Sequence, residues 1–244
     1  MKQGFFTVAE NEPLTRTVFH MVLQGDLSAV TAPGQFVNVK LAGRFLRRPI
    51  SVCDVAGDRL TLLYKVVGQG TAEMAALPAG ARLDLLTGLG NGYDTKKSGA
   101  CPVLLGGGVG VPPLFWLAKQ LIAEGKRPAA VLGFNTADEV FYENEFRSLG
   151  LPVTVTTVDG SYGQKGFVTD ALPADYDYFY TCGPEPMLKA VFRATDTSGQ
   201  FSFEERMGCG FGACMGCSCR TVTGFKRICR DGPVLKKEEI LWDA

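Results

Sequence analysis

From Thr7 to Leu86, apolar and polar positions alternate in short stretches that are separated by turn residues. A period of two with many Val, Ile, Leu and Phe residues predicts β-strands. The predicted strands are Thr15–Leu23, Gln35–Leu41, Pro49–Asp54, Arg59–Val67 and Ala81–Leu86. Ala-Pro-Gly, Ala-Gly-Asp and Pro-Ala-Gly turns stand between them, so we expect a small antiparallel β-barrel.

The pattern changes after a polar, Gly-rich stretch, Gly90–Gly99. Strand-length apolar runs then alternate with runs of helical spacing, which predicts βαβ units and a mostly parallel sheet. The predicted strands are Pro102–Leu105, Ala129–Phe134, Val153–Val158 and Tyr176–Thr181, and the predicted helices are Val111–Glu124, Asp138–Leu149 and Pro184–Thr195. Sheets of this kind bind ligands at the carboxyl ends of their strands.

The expected architecture is therefore β plus α/β in three parts. An antiparallel β-barrel occupies residues 1–97, a parallel α/β domain residues 98–200, and a small Cys-rich subdomain residues 201–244. We place the first boundary at Gly90–Gly99 because this stretch is polar and rich in Gly.

Charge and composition exclude several function classes. Lys plus Arg and Asp plus Glu both total 25, which leaves no net field to attract nucleic acid or anionic lipid. No uncharged apolar run reaches the ~18 residues that a membrane span needs. The chain opens without a signal-like apolar region, so we expect a reducing, cytoplasmic location. With His20 as the single His, acid–base catalysis by His is not expected, and the chemistry should come from cofactors.

The most informative stretch runs from Glu204 to Cys229 and holds five thiols among many Gly residues. Cys209, Cys214 and Cys217 have the C-x4-C-x2-C spacing of a plant-type 2Fe-2S loop, and Cys229 can complete four ligands. The interleaved Gly residues let the backbone wrap a compact cluster and turn N–H groups toward the sulfurs.

Two other readings of these thiols remain open at this point. A structural zinc site also takes four Cys, although it usually combines two C-x2-4-C knuckles. Disulfides are disfavoured by the reducing compartment that we expect. Cys219 follows Cys217 by two residues, and we interpret it as a thiol without a ligand role.

Two strand ends in the α/β part have the composition of nucleotide-binding turns. At the first, four Gly residues follow a predicted strand and precede a predicted helix. This arrangement suits a pyrophosphate but is also common in plain tight turns. The four residues are Gly106, Gly107, Gly108 and Gly110. The second is Thr181–Leu188, where Cys182 beside Gly183 could contact a ligand ring or could be a small buried residue.

The barrel part carries two further phosphate-type signals. Arg48 stands directly before a Pro-led strand, where its guanidinium could clamp a phosphate, and Ser51 adds a hydroxyl. The other interpretation of this Arg-rich stretch is a solvated edge strand. Gly70 and Thr71 open a short predicted helix whose amides also suit phosphate.

These motifs occur in a recognisable order: RPIS, KVVGQGT, LLGGGVGVPPL, TCGPEPML and EERMGCGFGACMGCSC. Over essentially the whole chain, the order resembles the ferredoxin–NADP reductase superfamily, and within it the electron-transfer subunits of type B, NAD-dependent dihydroorotate dehydrogenases. The C-terminal thiol loop is the most specific part of the resemblance.

The resemblance implies an FAD held between the barrel and the α/β domain, a nicotinamide nucleotide and a 2Fe-2S cluster. It implies FAD contacts from Arg48, Pro49, Ile50, Ser51, Lys65, Val66, Val67, Gly70 and Thr71. NAD contacts would come from Gly106, Gly107, Gly108, Gly110, Gly183 and Pro184, with Cys182 at the catalytic position beside the nicotinamide. The implied cluster ligands are Cys209, Cys214, Cys217 and Cys229.

The resemblance also implies a partner and a place in metabolism. The partner would be an FMN-containing dihydroorotate dehydrogenase catalytic subunit, in a heterotetramer with two copies of each chain, serving pyrimidine (UMP) biosynthesis. An alternative is the flavin and iron–sulfur subunit of another NAD(P)H-linked complex, such as a ferredoxin–NADP transhydrogenase or a hydrogenase. Relatives of that kind often have Asp at the first ligand position, so Cys209 favours the first reading.

Two further expectations come from the residues themselves. Asp138 and Glu139 follow the second strand of the α/β part, where they would repel a 2′-phosphate, so we expect NAD(H) rather than NADP(H). Apolar Phe211 and Met215 lie in a loop of small residues, which suits a contact surface. We therefore expect a partner interface at 207–219 and 225–233.

Overall fold

The computed structural model describes residues 1–242. Its N-terminal part is a closed, antiparallel six-stranded barrel with the strand order β1-β2-β5-β4-β3-β6. The strands are β1 (Lys2–Pro13), β2 (Val18–Gln24), β3 (Phe36–Lys40), β4 (Arg48–Ala56), β5 (Arg59–Lys65) and β6 (Arg82–Leu89), with the short helix α1 (Gln69–Ala75) between β5 and β6. Alternate residues of these strands point inward, as the two-residue period predicts.

Strand β1 was not predicted from the sequence, although it is the longest strand of the barrel. Only Phe6 and Val8 of its side chains are fully buried, so its own hydrophobic pattern is weak. It is held by pairing with β2 on one side and with β6 on the other. Closure of the barrel, rather than local propensity, makes this segment a strand.

The second part is a seven-stranded sheet with the order β10-β9-β8-β7-β11-β12-β15. Its strands are β7 (Pro102–Gly107), β8 (Ala129–Phe134), β9 (Val153–Thr157), β10 (Gln164–Lys165), β11 (Tyr178–Cys182), β12 (Gly199–Ser202) and β15 (Val234–Lys236). All neighbours are parallel except β15, which runs antiparallel to β12. The fold class expected from the sequence is confirmed.

The helices of this part are α2 (Pro112–Ala123), α3 (Glu143–Ser148) and α4 (Glu185–Ala194). The single helix predicted over Asp138–Leu149 is wrong, since a 3₁₀ turn at Ala137–Glu139 precedes the shorter α3. Tyr142 interrupts the helix in the left-handed conformation, with φ of 64°. Its ring packs edge-on against Phe115 and Phe141, and this aromatic packing overrides helical spacing.

The C-terminal part leaves the sheet after β12, packs against the barrel and returns to the sheet as β15. After β12 the thiol loop leads into a hairpin of β13 (Ser218–Thr221) and β14 (Gly224–Arg227), followed by α5 (Ile228–Asp231). Cys217 and Cys229 are buried in a hydrophobic cluster with Phe36 of the barrel and Phe201 of the sheet. This part therefore rests on both larger parts.

The predicted boundary Gly90–Gly99 is tied down by hydrogen bonds. Asn91 donates from Nδ2 to the carbonyl of Val234 at 2.7 Å and accepts the Val234 N–H at 3.1 Å. Tyr93 is buried and donates its hydroxyl to the carbonyl of Thr181. The linker thus connects the barrel to the sheet and to the C-terminal strand.

Helix α2 packs along β4 and joins the barrel to the sheet. Cys53 and Leu63 of the barrel belong to the same hydrophobic cluster as Leu114 and Leu117 of α2. At the edge of this contact, the Lys119 ammonium lies 2.7 Å from both carboxylate oxygens of Asp54. Within residues 1–242, no helix is long and apolar enough to cross a bilayer.

Candidate functional site

Strands β4 and β5 of the barrel pair along only part of their length. β4 pairs with β3 from Arg48 to Ser51. In the described residues, its pairing with β5 begins only at Val52, opposite Leu62. β5 continues to Lys65 along β2 instead. The two strands diverge there, and we call the resulting gap the β4–β5 seam; main-chain groups at its edge can bond a bound ring system.

The four residues predicted on β4 divide between its two faces, because side chains alternate along a strand. Ile50 lies opposite Val37 and packs against the barrel core. Pro49 and Ser51 lie opposite Asn38 and Phe36, on the face turned toward the C-terminal part. A flavin in the seam would therefore contact Pro49 and Ser51 through their side chains and Ile50 through its main chain.

Arg48 and helix α1 meet at one edge of the seam. A Cβ atom on Gly70 would overlap the Arg48 guanidinium, so only Gly allows this approach. The Thr71 hydroxyl accepts the N–H groups of Val67 and Gly68 at 2.9 and 3.2 Å and so fixes the turn before the helix. The structure thus brings Arg48, Gly70 and Thr71 together, in a cationic pocket edge that suits a pyrophosphate.

The predicted flavin contacts at the end of β5 are less enclosed. Lys65 and Val66 are half-buried, whereas Val67 is 79% exposed. The main-chain N–H of Val66 is taken by the carbonyl of Thr17. Val67 therefore lies at the rim of the seam rather than inside it.

The two predicted nucleotide turns are adjacent. β7 and β11 are parallel neighbours with Gly106 opposite Cys182. A Cβ atom on Gly110 would overlap the Cys182 carbonyl, which shows that the two turns touch through their backbones. A Cβ atom on Gly183 would lie 3.3 Å from the main-chain nitrogen of Gly107, a tight but longer contact. β5 also reaches the 3₁₀ turn Gly108–Gly110, so the nucleotide turns border the β4–β5 seam.

Cys182 is a protonated thiol at neutral pH. Burial raises its pKa to about 12, and the hydrogen bond with the Ser202 hydroxyl offsets only part of this effect. A neutral thiol at a strand end can contact a ring without attacking it. The raised pKa argues against a nucleophilic role for Cys182 and is compatible with a role in ring contact.

The acidic pair predicted to select the nucleotide lies in the 3₁₀ turn after β8. Glu139 accepts the Asn135 side-chain amide at 2.8 Å and lies 3.9 Å from the Lys65 ammonium across the site. Asp138 accepts the Thr136 hydroxyl. Both carboxylates are thus held at the carboxyl end of β8, where the chain can contact a ribose.

The four predicted cluster ligands form two pairs. Cys209 and Cys214 each accept the other's main-chain N–H at their sulfurs, at 3.4 Å. The Cys217 sulfur accepts the N–H of Cys229 at the same distance. In the part of the chain described, no three His, Cys, Asp or Glu side chains converge as ligands of a single ion. Two pairs of thiols match a cluster with two irons, so the residues present fit this group.

Main-chain N–H groups stabilise the ionised form of Cys209 in the first pair. The Cys209 sulfur accepts N–H groups from Phe211, Ala213 and Cys214 at 3.2–3.5 Å. Burial opposes ionisation of Cys209, but these amides outweigh it and lower its pKa to about 6. Burial and the neighbouring Cys217 raise the pKa of Cys229 to about 12, so metal binding must displace a proton from that thiol.

The remaining thiol, Cys219, lies half-buried on β13 and lines a cleft of about 170 Å³ with Gly183 and Trp242. Burial raises its pKa. The side chains predicted to contact a partner are exposed, since Phe211 is 45% and Met215 55% accessible. Phe225, on the neighbouring hairpin, is 75% exposed.

The sequence reading missed Asn38, a buried polar residue between the seam and the thiol loop. Its Nδ2 atom donates to the Cys209 carbonyl at 3.2 Å. The available signal was a single Asn within the otherwise apolar run FVNV of β3. Gln200 was missed as well; its side chain binds both main-chain groups of Asp94 and so anchors the linker.

Together, the barrel with an open seam, the parallel sheet with paired nucleotide turns and the appended thiol pairs define an oxidoreductase of the ferredoxin–NADP reductase fold. A ferredoxin–NADP+ reductase from Neisseria gonorrhoeae, with bound FAD and NADP, has the same fold with a TM-score of 0.70 at 16% identity over 80% of this chain and 90% of that one. A structure of an NADH-dependent reduced ferredoxin–NADP oxidoreductase superposes with a TM-score of 0.89 at 29% identity, over 98% of this chain and 90% of that one.

Sequence comparisons narrow the class. The domain described as "Oxidoreductase NAD-binding domain" matches residues 104–193, and "Iron-sulfur cluster binding domain of dihydroorotate dehydrogenase B" matches residues 204–241. Proteins from Geobacillus sp. (strain WCH70) and Fusobacterium nucleatum are 44% identical over 98–99% of this chain and 99% of their own length. Both are called "Dihydroorotate dehydrogenase B (NAD(+)), electron transfer subunit". The chain belongs to this family of electron transfer subunits, as the resemblance in the sequence implied.

Proposed function

We propose that this chain transfers electrons between NAD(H) and a partner subunit that oxidises dihydroorotate to orotate, a step of pyrimidine (UMP) biosynthesis. The observation that carries the proposal is the two thiol pairs, in a chain that also has an open β4–β5 seam and two adjacent nucleotide turns. Relatives that are 44% identical over nearly the whole chain support the same assignment.

The cofactor set is FAD, a 2Fe-2S cluster and NAD as substrate. Nicotinamide exchanges two electrons as a hydride, a cluster accepts one, and a flavin can do either, so the bound groups supply the conversion between paired and single electrons. The chain's own residues have other tasks, because this chemistry needs no His or carboxylate acting as acid or base.

The first task is to hold the flavin. The Arg48 guanidinium and the amides at the start of α1 would bind its pyrophosphate, since both lie at one edge of the seam. Pro49, Ile50 and Ser51 would lie along the ring on β4, with Lys65, Val66 and Val67 at the end of β5.

The second task is to orient the nicotinamide. Gly106–Gly110 and Gly183-Pro184 would contact the nucleotide through main-chain groups, since the two turns touch each other. Cys182 would pack against the ring as a neutral thiol. Asp138 at the end of β8 would favour NAD(H) by repelling a 2′-phosphate.

The third task is to present the cluster to a partner. Each thiol pair would bind one iron: Cys209 and Cys214 one of them, Cys217 and Cys229 the other. Exposed Phe211 and Met215 in the same loop would contact the partner. We propose that the partner is an FMN-containing catalytic subunit and that two copies of each chain form a heterotetramer. The three parts, residues 1–97, 98–200 and 201–244, would serve as FAD, NAD and cluster domains.

Co-expression with the catalytic subunit of a type B dihydroorotate dehydrogenase tests the proposal. The purified complex should reduce NAD+ when dihydroorotate is added, and the isolated chain should oxidise NADH only with an artificial acceptor. The superposition with an NADH-dependent reduced ferredoxin–NADP oxidoreductase makes that activity the second candidate. Reduction of NADP+ by reduced ferredoxin, without any response to dihydroorotate, would favour this second function over the first.

A further inference from the structure

Asn38 lies between two strands of the flavin part and the loop that holds the first thiol pair. It is 1% exposed and stands opposite Pro49 of β4 and Leu86 of β6. Its Nδ2 donates to the carbonyl of Cys209 at 3.2 Å. Because a carbonyl can only accept, the atom that faces Cys209 must be the amide nitrogen.

The thiol loop lies directly on this side chain. A Cβ atom on Gly210 would overlap Asn38 Nδ2, so the loop backbone passes at the closest distance that Gly permits. Gly210 also has a φ of 77°, a conformation that favours Gly. The position of the Cys209 peptide is therefore set by contact with the barrel.

Asn38 is in turn held from the barrel side. The Arg47 guanidinium donates to the main-chain carbonyl of Asn38 at 3.3 Å. It also forms a bidentate ion pair with the Asp84 carboxylate at 3.0 and 3.1 Å. The Asp84 side chain is 11% exposed and also accepts the Gln3 amide at 2.9 Å. The backbone at Asn38 is thus fixed independently of the thiol loop.

Packing alone does not explain an amide at this position. Among the described residues, Asn38 Oδ1 is one of three buried side-chain polar atoms without a hydrogen-bond partner. A Leu of similar volume would fill the same space without burying an unpaired acceptor. The amide is accounted for by the bond that its nitrogen donates to the thiol loop.

We infer that Asn38 is a positioning residue that fixes the Cys209 peptide, and through it the cluster ligand, relative to the flavin-binding strand β4. The inference rests on the proposed function and deepens it. Groups that orient metal ligands affect metal retention and redox properties although they do not touch the metal. Loss of the Nδ2 bond should therefore change the cluster and leave the reaction of NADH with the flavin unchanged.

The test uses the full chain, purified without oxygen, as wild type, Asn38→Leu and Asn38→Ser. The Leu variant removes the donor at similar volume, and the Ser variant leaves room for a water that bridges to the Cys209 carbonyl. Asn11→Leu is the matched control, because Asn11 also donates from a barrel strand to main-chain carbonyls, those of Met74 and Leu77, away from the thiols.

Three quantities are measured: the rate at which a chelator removes the cluster, the cluster midpoint potential by EPR-monitored titration, and stopped-flow rates with NADH. In Asn38→Leu, cluster loss should be about tenfold faster and cluster reduction about tenfold slower, with a shifted potential. Bleaching of the flavin by NADH should keep its wild-type rate. Asn38→Ser should be intermediate, and Asn11→Leu should lower the melting temperature but keep wild-type cluster properties.

Wild-type cluster properties in Asn38→Leu, or equal changes in Asn11→Leu, would overturn the inference and leave the proposed function intact. If Asn38→Leu assembles no cluster, the Ser variant decides: an intermediate loss rate supports the role, and a wild-type rate contradicts it. A wild-type protein without iron, sulfide and bleachable flavin would instead refute the proposed function, and the role of Asn38 would fall with it.

Discussion

Gly70 at the start of α1 lies against the guanidinium of Arg48 on β4, so closely that a Cβ atom at position 70 would overlap it. The two residues belong to different elements and form one edge of the β4–β5 seam. Their contact places a cation beside the first amides of a helix, which is an arrangement that suits a pyrophosphate.

Gly70→Ala should displace Arg48 and weaken FAD binding. A lost charge-assisted hydrogen bond is worth about 1.5–3 kcal/mol, so we expect about a 10- to 100-fold higher Kd for FAD. Arg48→Ala should have a similar effect, and the double variant should be little worse than either single one. Fluorescence titration of the deflavinated protein with FAD measures these constants.

Arg44→Ala is the control for this series. Arg44 is a neighbouring cation that pairs with Glu73 of α1 at the surface. Exposed ion pairs contribute little, so its removal should change the Kd for FAD by less than about twofold. A Gly70→Ala variant that binds FAD as tightly as the wild type would show that this edge of the seam does not hold the pyrophosphate.

His20 gives the folded chain a pH dependence that a single substitution can isolate. Burial on β2 lowers the pKa of His20 from its ordinary value of 6.5, and the nearby Glu10 and Glu12 offset this only in part. The unfolded chain then binds the proton first as the pH falls. Stability from this group is complete above pH 6.5 and declines below it, until the pKa of the folded state is reached.

Denaturant unfolding between pH 5 and 8 checks this expectation. The wild type should lose stability as the pH falls below about 6.5, and His20→Gln should lose less over the same interval. Because His20 is the single His, NMR titration of its ring reports the folded-state pKa directly. A ring that titrates above 6.5 would contradict the burial argument.

Asp138 should contribute to the choice between nicotinamide nucleotides. With an artificial acceptor, the wild type should oxidise NADH faster than NADPH, because the carboxylate repels a 2′-phosphate. Asp138→Asn should raise kcat/KM for NADPH several-fold and change that for NADH little. Asp175→Asn, an exposed change of the same charge, is the control. Faster wild-type turnover with NADPH would refute this assignment.

Phe211 and Met215 should form part of the partner contact. Phe211→Asp and Met215→Asp place charge on an apolar loop surface and should abolish co-purification with the catalytic subunit. The visible spectrum should stay unchanged, because neither side chain is a ligand. Phe5→Asp changes a comparably exposed Phe on the barrel and should keep the complex. Complexes that survive both loop substitutions would place the interface elsewhere.

The hydrophobic pattern predicted most of the barrel and the parallel sheet because those strands bury alternate or continuous apolar residues. It did not predict β1, whose polar second half is held by pairing with β2, or β15, which reaches the sheet from the C-terminus. Asn38 was missed for a related reason. Its partner Cys209 is 171 positions away, and no local pattern encodes such a contact.

The thiol spacing was the most informative site signal because ligand geometry constrains sequence locally. The pairing of Cys209 with Cys214 and of Cys217 with Cys229 became visible only in the structure. The split of Arg48–Ser51 between two faces of β4 likewise needed the register with β3. Motifs thus selected the candidate site residues, and the fold supplied how these candidates face each other.

The most direct test of the central claim is the metal and sulfide content of Cys214→Ser and Cys219→Ser, purified without oxygen beside the wild type. Wild type and Cys219→Ser should each contain two irons and two sulfides per chain and show a cluster EPR signal after NADH reduction. Cys214→Ser should lose the cluster and its visible absorbance but keep the flavin. Stoichiometric zinc without sulfide in the wild type, or a full cluster spectrum in Cys214→Ser, would contradict the account.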